Sequence, residues 1–133
     1  MKGRPPIGTA HQLSFTVSSE HTIDFAQDGM PAVLATPRLI GLLERTAREA
    51  LSPFLEPEER SVGVEIELRH LAPTPLQFGV TCSVRVIAVD GATVTFQLEA
   101  RDQQELIARG LHKRAVVGIG RFARRVEAKR SSK

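Results

Sequence analysis

Residues 34–55 are the only long stretch of this 133-residue chain in which apolar residues recur with helical spacing. Pro37 suits a first helical turn, where its missing N–H costs nothing, and Thr36 before it suits the N-cap. Pro53 ends the pattern, because proline disfavours a helical residue before it. The sequence therefore predicts one long amphipathic helix, whose apolar stripe consists of Leu39, Ile40, Leu43, Ala47, Ala50 and Leu51.

Several other segments alternate apolar and polar residues, which is typical of half-buried strands. One lies before the helix, within residues 9–19, and four follow it, beginning near residues 61, 78, 93 and 105. Pro73 and Pro75 separate the first of these four from the second. In the first, one predicted strand face carries Val62, Val64, Ile66 and Leu68.

The turns and the last strand complete the predicted sheet. Asp90-Gly91 predicts a type I′ hairpin turn between the second and third of the four strands. The order is thus a strand, a long helix and a meander of four antiparallel strands. Because neither the helix nor the sheet can bury its apolar face alone, we expect an α+β hotdog architecture, with the sheet wrapped around the helix. The last segment, residues 105–117, suggests a bulge or an edge strand, because it is interrupted by Arg109, His112 and Arg114.

Composition predicts a soluble, globular protein with 41% hydrophobic and 25% charged residues. No apolar run is long enough to span a membrane, and the first residues lack the apolar core of a secretory signal. The single cysteine, Cys82, excludes an internal disulfide and fits a reducing cytoplasm, where we expect the protein. No Cys/His cluster has zinc spacing, so no metal site is predicted.

Charge is concentrated at the C-terminus. Residues 121–133 carry a net charge of +5, which leaves −2 for residues 1–120. We therefore predict one domain over residues 1–120 and a basic tail over 121–133, solvated and partly disordered. A basic tail also suits nucleic acid. The chain has no Trp or Tyr on which bases could stack, however, and nucleic acid is not the expected partner.

Two polar residues lie where the pattern calls for apolar ones. His70 continues the alternation of Ile66 and Leu68, and Glu44 borders the helical stripe. A carboxylate facing an imidazole could tune its proton affinity, as in general acid–base catalysis. The alternatives are a satisfied core histidine and a surface ion pair of Glu44 with Arg48.

Other polar residues have simpler interpretations. Gly63 fits a bulge or a close backbone approach. Cys82, in mid-strand on an apolar face, is predicted to belong to the core. The remaining histidines are interpreted as surface or structural residues: His11, His21 and His112.

Segments 33–45, 50–63, 69–75 and 110–117 together resemble the fluoroacetyl-CoA thioesterase family, a branch of the hotdog thioesterases. The resemblance implies that Thr36, Glu44 and His70 are catalytic and that Gly63 lies near the reacting thioester. It also implies a homodimer with acyl-CoA clefts at or near the subunit interface, with further pairing into a tetramer left open. No cofactor is implied, since CoA enters as part of the substrate.

The segment before the helix departs from the family pattern. Fluoroacetate-specific members have a phenylalanine lid there, whereas residues 27–31 read Gln-Asp-Gly-Met-Pro, with Met30 at the lid position. Because methionine is flexible, we expect a general short or medium acyl-CoA substrate rather than fluoroacetyl-CoA alone. We expect Arg109, Lys113 and Arg114 to hold the CoA phosphates.

The resemblance gives each residue an expected role in thioester hydrolysis. His70 would act as general acid or base, and Thr36 would donate a hydrogen bond. Glu44 would either orient a water molecule or attack the carbonyl directly, and a backbone N–H near Gly63 would stabilise the oxyanion. The alternatives are a non-catalytic module that binds or senses acyl-CoA, a hotdog hydratase or dehydratase, and a nucleic-acid-binding protein acting through the tail.

Overall fold

The computed structural model describes residues 1–23 and 28–132. One long helix, α1 (Thr36–Leu51), is followed by a 3₁₀ turn at Ser52–Phe54. The chain ends in a second helix, α2 (Ile119–Ser131). The strands are β1 (Ala10–Thr16), β2 (Glu59–His70), β3 (Gly79–Asp90), β4 (Thr93–Asp102) and β5 (Leu106–Gly118).

Helix α1 confirms the predicted amphipathic helix and its end before Pro53. Its start differs by one residue, because Ala35 is the N-cap and Thr36 is the first helical residue. No side chain caps the helix, so the prediction of Thr36 as N-cap is wrong. The hydroxyl of Thr36 is consequently free for another partner. The predicted stripe is buried except for the half-buried Ile40, and Thr46 joins it by donating a hydrogen bond to the Leu42 carbonyl.

The strands form one antiparallel sheet in the order β1-β3-β4-β5-β2. The predicted meander is therefore correct only for β3, β4 and β5. The segment between β2 and β3 contains Pro73 and Pro75 and does not join the two strands as a hairpin; β2 lies at the far side of the sheet and pairs with β5. This places β5 inside the sheet and makes β2 an edge strand, so the edge predicted for β5 is wrong. The alternative predicted for β5, a bulge, is observed: Ala100 pairs with Ala108 and Arg101 with Leu106, which leaves Ile107 without a partner on β4.

The hairpin between β3 and β4 has the predicted position but another geometry. Gly91 has a φ of +60°, whereas Ala92 keeps a negative φ. A type I′ turn needs positive φ at both central residues. The turn therefore uses the conformational freedom of glycine at one position only.

A bulge in β2 changes which residues face α1. Gly63 pairs with Arg114 and Glu65 with Lys113, so Val64 has no partner of its own. Beyond the bulge, Ile66, Leu68 and His70 face the helix, as predicted. Before the bulge the alternation is reversed, and Val64 itself is 56% exposed. The prediction that Val62 and Val64 share the inner face is wrong for this reason.

The core lies between α1 and the inner face of the sheet. Cys82 is fully buried there, which confirms its predicted place, and burial raises the pKa of its thiol to about 12. The largest apolar residues of the core are Phe96, Leu34, Leu39, Leu43, Leu51, Leu98 and Ile107.

Helix α2 replaces much of the predicted irregular tail. It begins before residue 121 and has no buried residue, so it is solvated as expected but helical in the structure. The Ile119 N–H donates to the Glu58 carbonyl oxygen at 2.8 Å, which fixes the start of the helix beside β2. Neither α1 nor α2 has the length and apolar character that crossing a membrane would require.

Candidate active site

Thr36 and His70 form a hydrogen-bonded pair where the start of α1 meets the end of β2. Thr36 Oγ1 lies 2.7 Å from His70 Nδ1. The pair forms because Thr36 is the first helical residue and its hydroxyl does not cap the helix, and because the bulge in β2 turns His70 towards the helix. It borders an open groove of about 310 Å³ lined by Ile23, Val33, Leu34, Leu71, Ala72 and Pro73.

The other ring nitrogen of His70 is shielded from solvent. Nε2 is buried and has no hydrogen-bond partner in the part of the chain that the structure describes. Burial lowers the pKa of His70 below its ordinary value of 6.5, so the ring is neutral at neutral pH. A neutral imidazole carries one hydrogen, and Nε2 either accepts or donates a proton depending on the direction of the Thr36 hydrogen bond. His70 can therefore serve as a general base or acid towards a ligand in the groove.

Glu44 lies farther along α1, eight residues after Thr36 and therefore about 12 Å along the helix axis. Its Oε2 makes an ion pair with Arg114 Nη1 at 3.4 Å, with 41% of the Glu44 side chain exposed. Neither predicted partner of Glu44 is observed in the described part of the chain: it pairs with Arg114, not with Arg48 or His70. Within one chain, the predicted residues thus form two groups rather than one.

Gly63 brings the backbone of β2 against the Glu44 carboxylate. A Cβ atom at this position would collide with Glu44 Oε2, and it would also contact the His112 ring at 3.4 Å. The residue lies at the bulge as well, so both the predicted bulge and the predicted close backbone approach are observed at Gly63. The resulting hollow has a volume of about 260 Å³ and is lined by Glu44, Gly63, Val64, Glu65, Ile66 and His112.

A buried network holds this second group in place. Arg114 is 5% exposed and donates from Nε to the Ser61 hydroxyl and from Nη2 to the Ser61 carbonyl, both at 2.9 Å. Arg114 Nη1 also lies 3.2 Å from His112 Nε2, and His112 Nδ1 lies 2.8 Å from the Glu65 carbonyl oxygen. Since that carbonyl can only accept, Nδ1 carries the hydrogen of the His112 ring and Nε2 accepts from Arg114.

His112 is a site neighbour that the sequence analysis did not single out. The sequence interpretation is a surface or structural residue; His112 is 1% exposed, so it is structural and not on the surface. Burial lowers the pKa of its imidazole. The alternation of β5 could have revealed it, because Ala108, His112 and Arg114 all have the parity of a buried face.

None of the residues expected to hold phosphates lines the groove beside His70 or the hollow beside Glu44. Arg114 is buried and already has four hydrogen-bond acceptors, so it is not presented to a cleft mouth. Arg109 and Lys113 have the opposite parity on β5 and face away from α1. Lys113 lies 3.8 Å from Glu65, and Arg109 lines an outer hollow of about 640 Å³ that contains none of the predicted catalytic residues.

The segment before α1 is only partly described. Met30 is 49% exposed and lines neither the groove beside His70 nor the hollow beside Glu44. Position 27 of the predicted lid segment lies outside the described residues.

Comparison with known proteins gives a consistent family. The model of the fluoroacetyl-CoA-specific thioesterase family matches residues 17–119. The fluoroacetyl-CoA thioesterase of Streptantibioticus cattleyicolor is 31% identical over 137 residues, covering 97% of each chain. A point mutant of a fluoroacetyl-CoA-specific thioesterase, solved with fluoroacetate and CoA, is 30% identical, with a TM-score of 0.82 over 89% of this chain and 99% of its own.

A second solved structure extends the fold comparison. A hot-dog-like protein from Thermanaerovibrio acidaminovorans is 29% identical, with a TM-score of 0.89 over 96% of this chain and 95% of its own. The predicted hotdog fold is thereby confirmed.

Proposed function

The chain belongs to the fluoroacetyl-CoA-specific thioesterase family and is a thioester hydrolase, and on that premise we propose that it hydrolyses short or medium acyl-CoA thioesters in general. The products are a free carboxylic acid and CoA. Support for a CoA thioester comes from the relative solved with CoA.

The observation that carries the proposal is the Thr36–His70 pair, with Oγ1 and Nδ1 2.7 Å apart and Nε2 unpaired within the described residues. In the proposed reaction, His70 Nε2 takes the proton of the attacking water, which adds to the thioester carbonyl. The C–S bond of the tetrahedral intermediate then breaks, and His70 returns the proton to the departing thiolate. Thr36 orients the imidazole through its hydroxyl.

Glu44 and Gly63 supply the second half of the proposed site. The carboxylate of Glu44 orients and polarises the water, and a backbone N–H near Gly63 donates to the developing oxyanion. Arg114 and Ser61 keep Glu44 beside Gly63 through the buried contacts described above. Precise positioning of such groups matters, because an error of about 1 Å can cost a hundredfold in rate.

The separation of the two groups supports a homodimer as part of the proposal. β2 is an edge strand whose backbone is open to pairing, and it carries both Gly63 and His70. Antiparallel pairing of two β2 edges about a two-fold axis would lay the Gly63 half of one strand beside the His70 half of the other. Glu44 of one subunit would then face the Thr36–His70 pair of its partner.

A general substrate range is proposed from Met30, which replaces the lid phenylalanine expected for fluoroacetate specificity. We expect kcat/KM for fluoroacetyl-CoA and acetyl-CoA to agree within about tenfold, because a flexible side chain discriminates weakly between small acyl groups. A preference for fluoroacetyl-CoA of a thousandfold or more would contradict this range.

The experiment that tests the function measures release of free CoA from acetyl-, fluoroacetyl-, butyryl-, octanoyl-, benzoyl- and palmitoyl-CoA. We expect turnover of short or medium chains, and a loss of about a hundredfold in kcat for Glu44→Gln, which keeps the shape but removes the charge. Glu49→Gln is the matched control, because Glu49 is on the same helix with 38% of its side chain exposed, against 41% for Glu44. Binding without turnover of any thioester would instead identify a sensor or carrier.

Gly63→Ala tests the close approach of β2 to Glu44. The added Cβ would displace Glu44 Oε2, which is the far end of a flexible side chain, so we expect a folded protein with a misplaced carboxylate. CoA release should fall by about a hundredfold while the melting temperature stays within a few degrees. Gly41→Ala is the control, because a Cβ there meets nothing within 4 Å. Unchanged CoA release by Gly63→Ala would exclude Glu44 and Gly63 from a shared site.

A further inference from the structure

The start of α2 and the end of β5 enclose a groove that the proposed reaction does not use. Its volume is about 340 Å³. The residues that line it are Val116, Val117, Gly118, Arg121, Phe122 and Arg125. One wall is thus an apolar strand end, and the other is a helical turn that carries two cations and an aromatic ring.

The charges of this groove have no partner in the described part of the chain. Arg121 and Arg125 are four residues apart on α2 and so share one face, and none of the ion pairs among the described residues includes either of them. Two like charges at this spacing repel each other until an anion lies between them. Guanidinium groups bind phosphate by paired, charge-assisted hydrogen bonds, which makes a phosphate group the fitting anion.

Phe122 adds a feature that a simple phosphate site does not need. Phe122 follows Arg121 and precedes Arg125 in the sequence. Its side chain lines the same groove and is 42% exposed. An exposed aromatic face beside guanidinium groups suits a nucleobase, because bases stack on aromatic rings. The combination fits a ligand that carries a base and phosphates together.

The groove also lies within reach of the proposed site. On β5, Val116 is two residues beyond Arg114 on the same face, a distance of about 7 Å. Across the ladder, Val116 pairs with Ser61 and Arg114 with Gly63. CoA joins its thiol to its nucleotide through two amide-linked segments and a pyrophosphate, a chain long enough to cover this interval.

We propose that this groove binds the phosphorylated adenosine end of CoA, with Arg121 and Arg125 on its phosphates and Phe122 against the adenine. This inference rests on the proposed hydrolysis of acyl-CoA and assigns the nucleotide half of that substrate. It replaces the phosphate-binding role expected of Arg109, Lys113 and Arg114, whose side chains face away from α1 or are buried.

The test compares acyl-CoA with the same acyl group on pantetheine, which has the thioester but lacks the nucleotide. In the Arg121→Gln/Arg125→Gln variant we expect KM for acyl-CoA to rise roughly ten- to a hundredfold with kcat unchanged, since two charge-assisted contacts are lost. The kinetic constants for acyl-pantetheine should be the same in this variant and in the wild type. Arg124→Gln/Arg130→Gln removes equal charge from α2 outside the groove and should leave KM for acyl-CoA nearly unchanged.

Binding measurements separate this inference from the proposed function. By calorimetry, free CoA should bind the wild type at least tenfold more tightly than it binds the Arg121→Gln/Arg125→Gln variant, even if no thioester is hydrolysed. Equal rises in KM for both double variants would reduce the effect to overall charge and overturn the proposal. Tight binding of a single-stranded oligonucleotide, with CoA affinity unaffected by the groove substitutions, would also overturn it.

Discussion

Replacing His70 by alanine is expected to lower kcat for acyl-CoA hydrolysis by about a thousandfold, because general acid–base catalysis contributes between a hundred- and ten-thousandfold. The imidazole is hydrogen-bonded to Thr36 at 2.7 Å, and its Nε2 is buried without a hydrogen-bond partner among residues 1–23 and 28–132. The measurement is steady-state CoA release with the fold checked by circular dichroism. His11→Ala is the matched control, since His11 pairs with Glu49 on the far side of α1 and 40% of its side chain is exposed.

The pH dependence distinguishes a proton-transfer role from a structural one. Burial lowers the pKa of His70 below 6.5, so the neutral, base-competent form persists to lower pH than in a free histidine. For the wild type, kcat/KM should therefore be constant above about pH 6.5 and fall only below it. The residual rate of His70→Ala should lack this fall. If kcat/KM of His70→Ala still falls at low pH, the fall is due to another group, such as His112, whose pKa is also lowered by burial.

The same shift has a consequence for stability. Because the pKa of His70 is lower in the folded than in the unfolded chain, the unfolded chain binds more protons below pH 6.5. The free energy of unfolding should thus be independent of this group above pH 6.5 and decrease as the pH falls towards its folded-state pKa. His70→Ala should make that decrease in the free energy of unfolding smaller. Part of the decrease that remains should come from His112, because burial lowers its pKa as well.

Gly110→Ala is expected to cause the largest loss of stability. Gly110 pairs with Leu68 on β2, and a Cβ there would collide with the Glu67 carbonyl oxygen and lie 2.9 Å from its carbonyl carbon. These are backbone atoms of a paired strand, so they cannot move without opening the β2–β5 ladder. We expect a destabilisation of about 3 kcal/mol, at the upper end of typical overpacking. The melting temperature should fall by roughly 10 °C for a chain of this size.

Gly79→Ala provides the control for that measurement. Gly79 is also in a strand, but a Cβ there meets nothing within 4 Å and its φ is not positive. Its melting temperature should lie within about 2 °C of the wild type, as for most surface substitutions. A similar melting temperature for Gly110→Ala would mean that β2 and β5 are farther apart at this point than the structure has them.

The helix and most strand segments could be predicted because each depends on a local pattern. The stripe that includes Leu39 and Leu43 has helical spacing, and Val94, Phe96 and Leu98 alternate without interruption. The place of Cys82 in the core follows from the same alternation. The resemblance to a family added Thr36 to the predicted catalytic residues, because its position before Pro37 alone favoured a helix N-cap.

What could not be predicted depends on non-local pairing. The crossover of β2 to the far edge of the sheet could not be predicted, because no alternation pattern records which strand will be its neighbour. The bulge at Val64 reverses the faces of β2, and a strictly periodic interpretation assigns Val62 to the wrong side. His112 and Arg114 looked like interruptions of a strand because their partners, Glu65 and Glu44, are distant in sequence.

The burial of Cys82 makes the protein convenient for colorimetric work. It is the only cysteine in the chain, it is fully buried, and its thiol has a pKa of about 12, so almost no thiolate exists at neutral pH. A thiol-reactive chromophore added to the native enzyme will therefore report the sulfhydryl of released CoA without a background from the enzyme itself. In denaturant the same reagent will react with one equivalent per chain as Cys82 becomes accessible, so one dye can follow both turnover and unfolding.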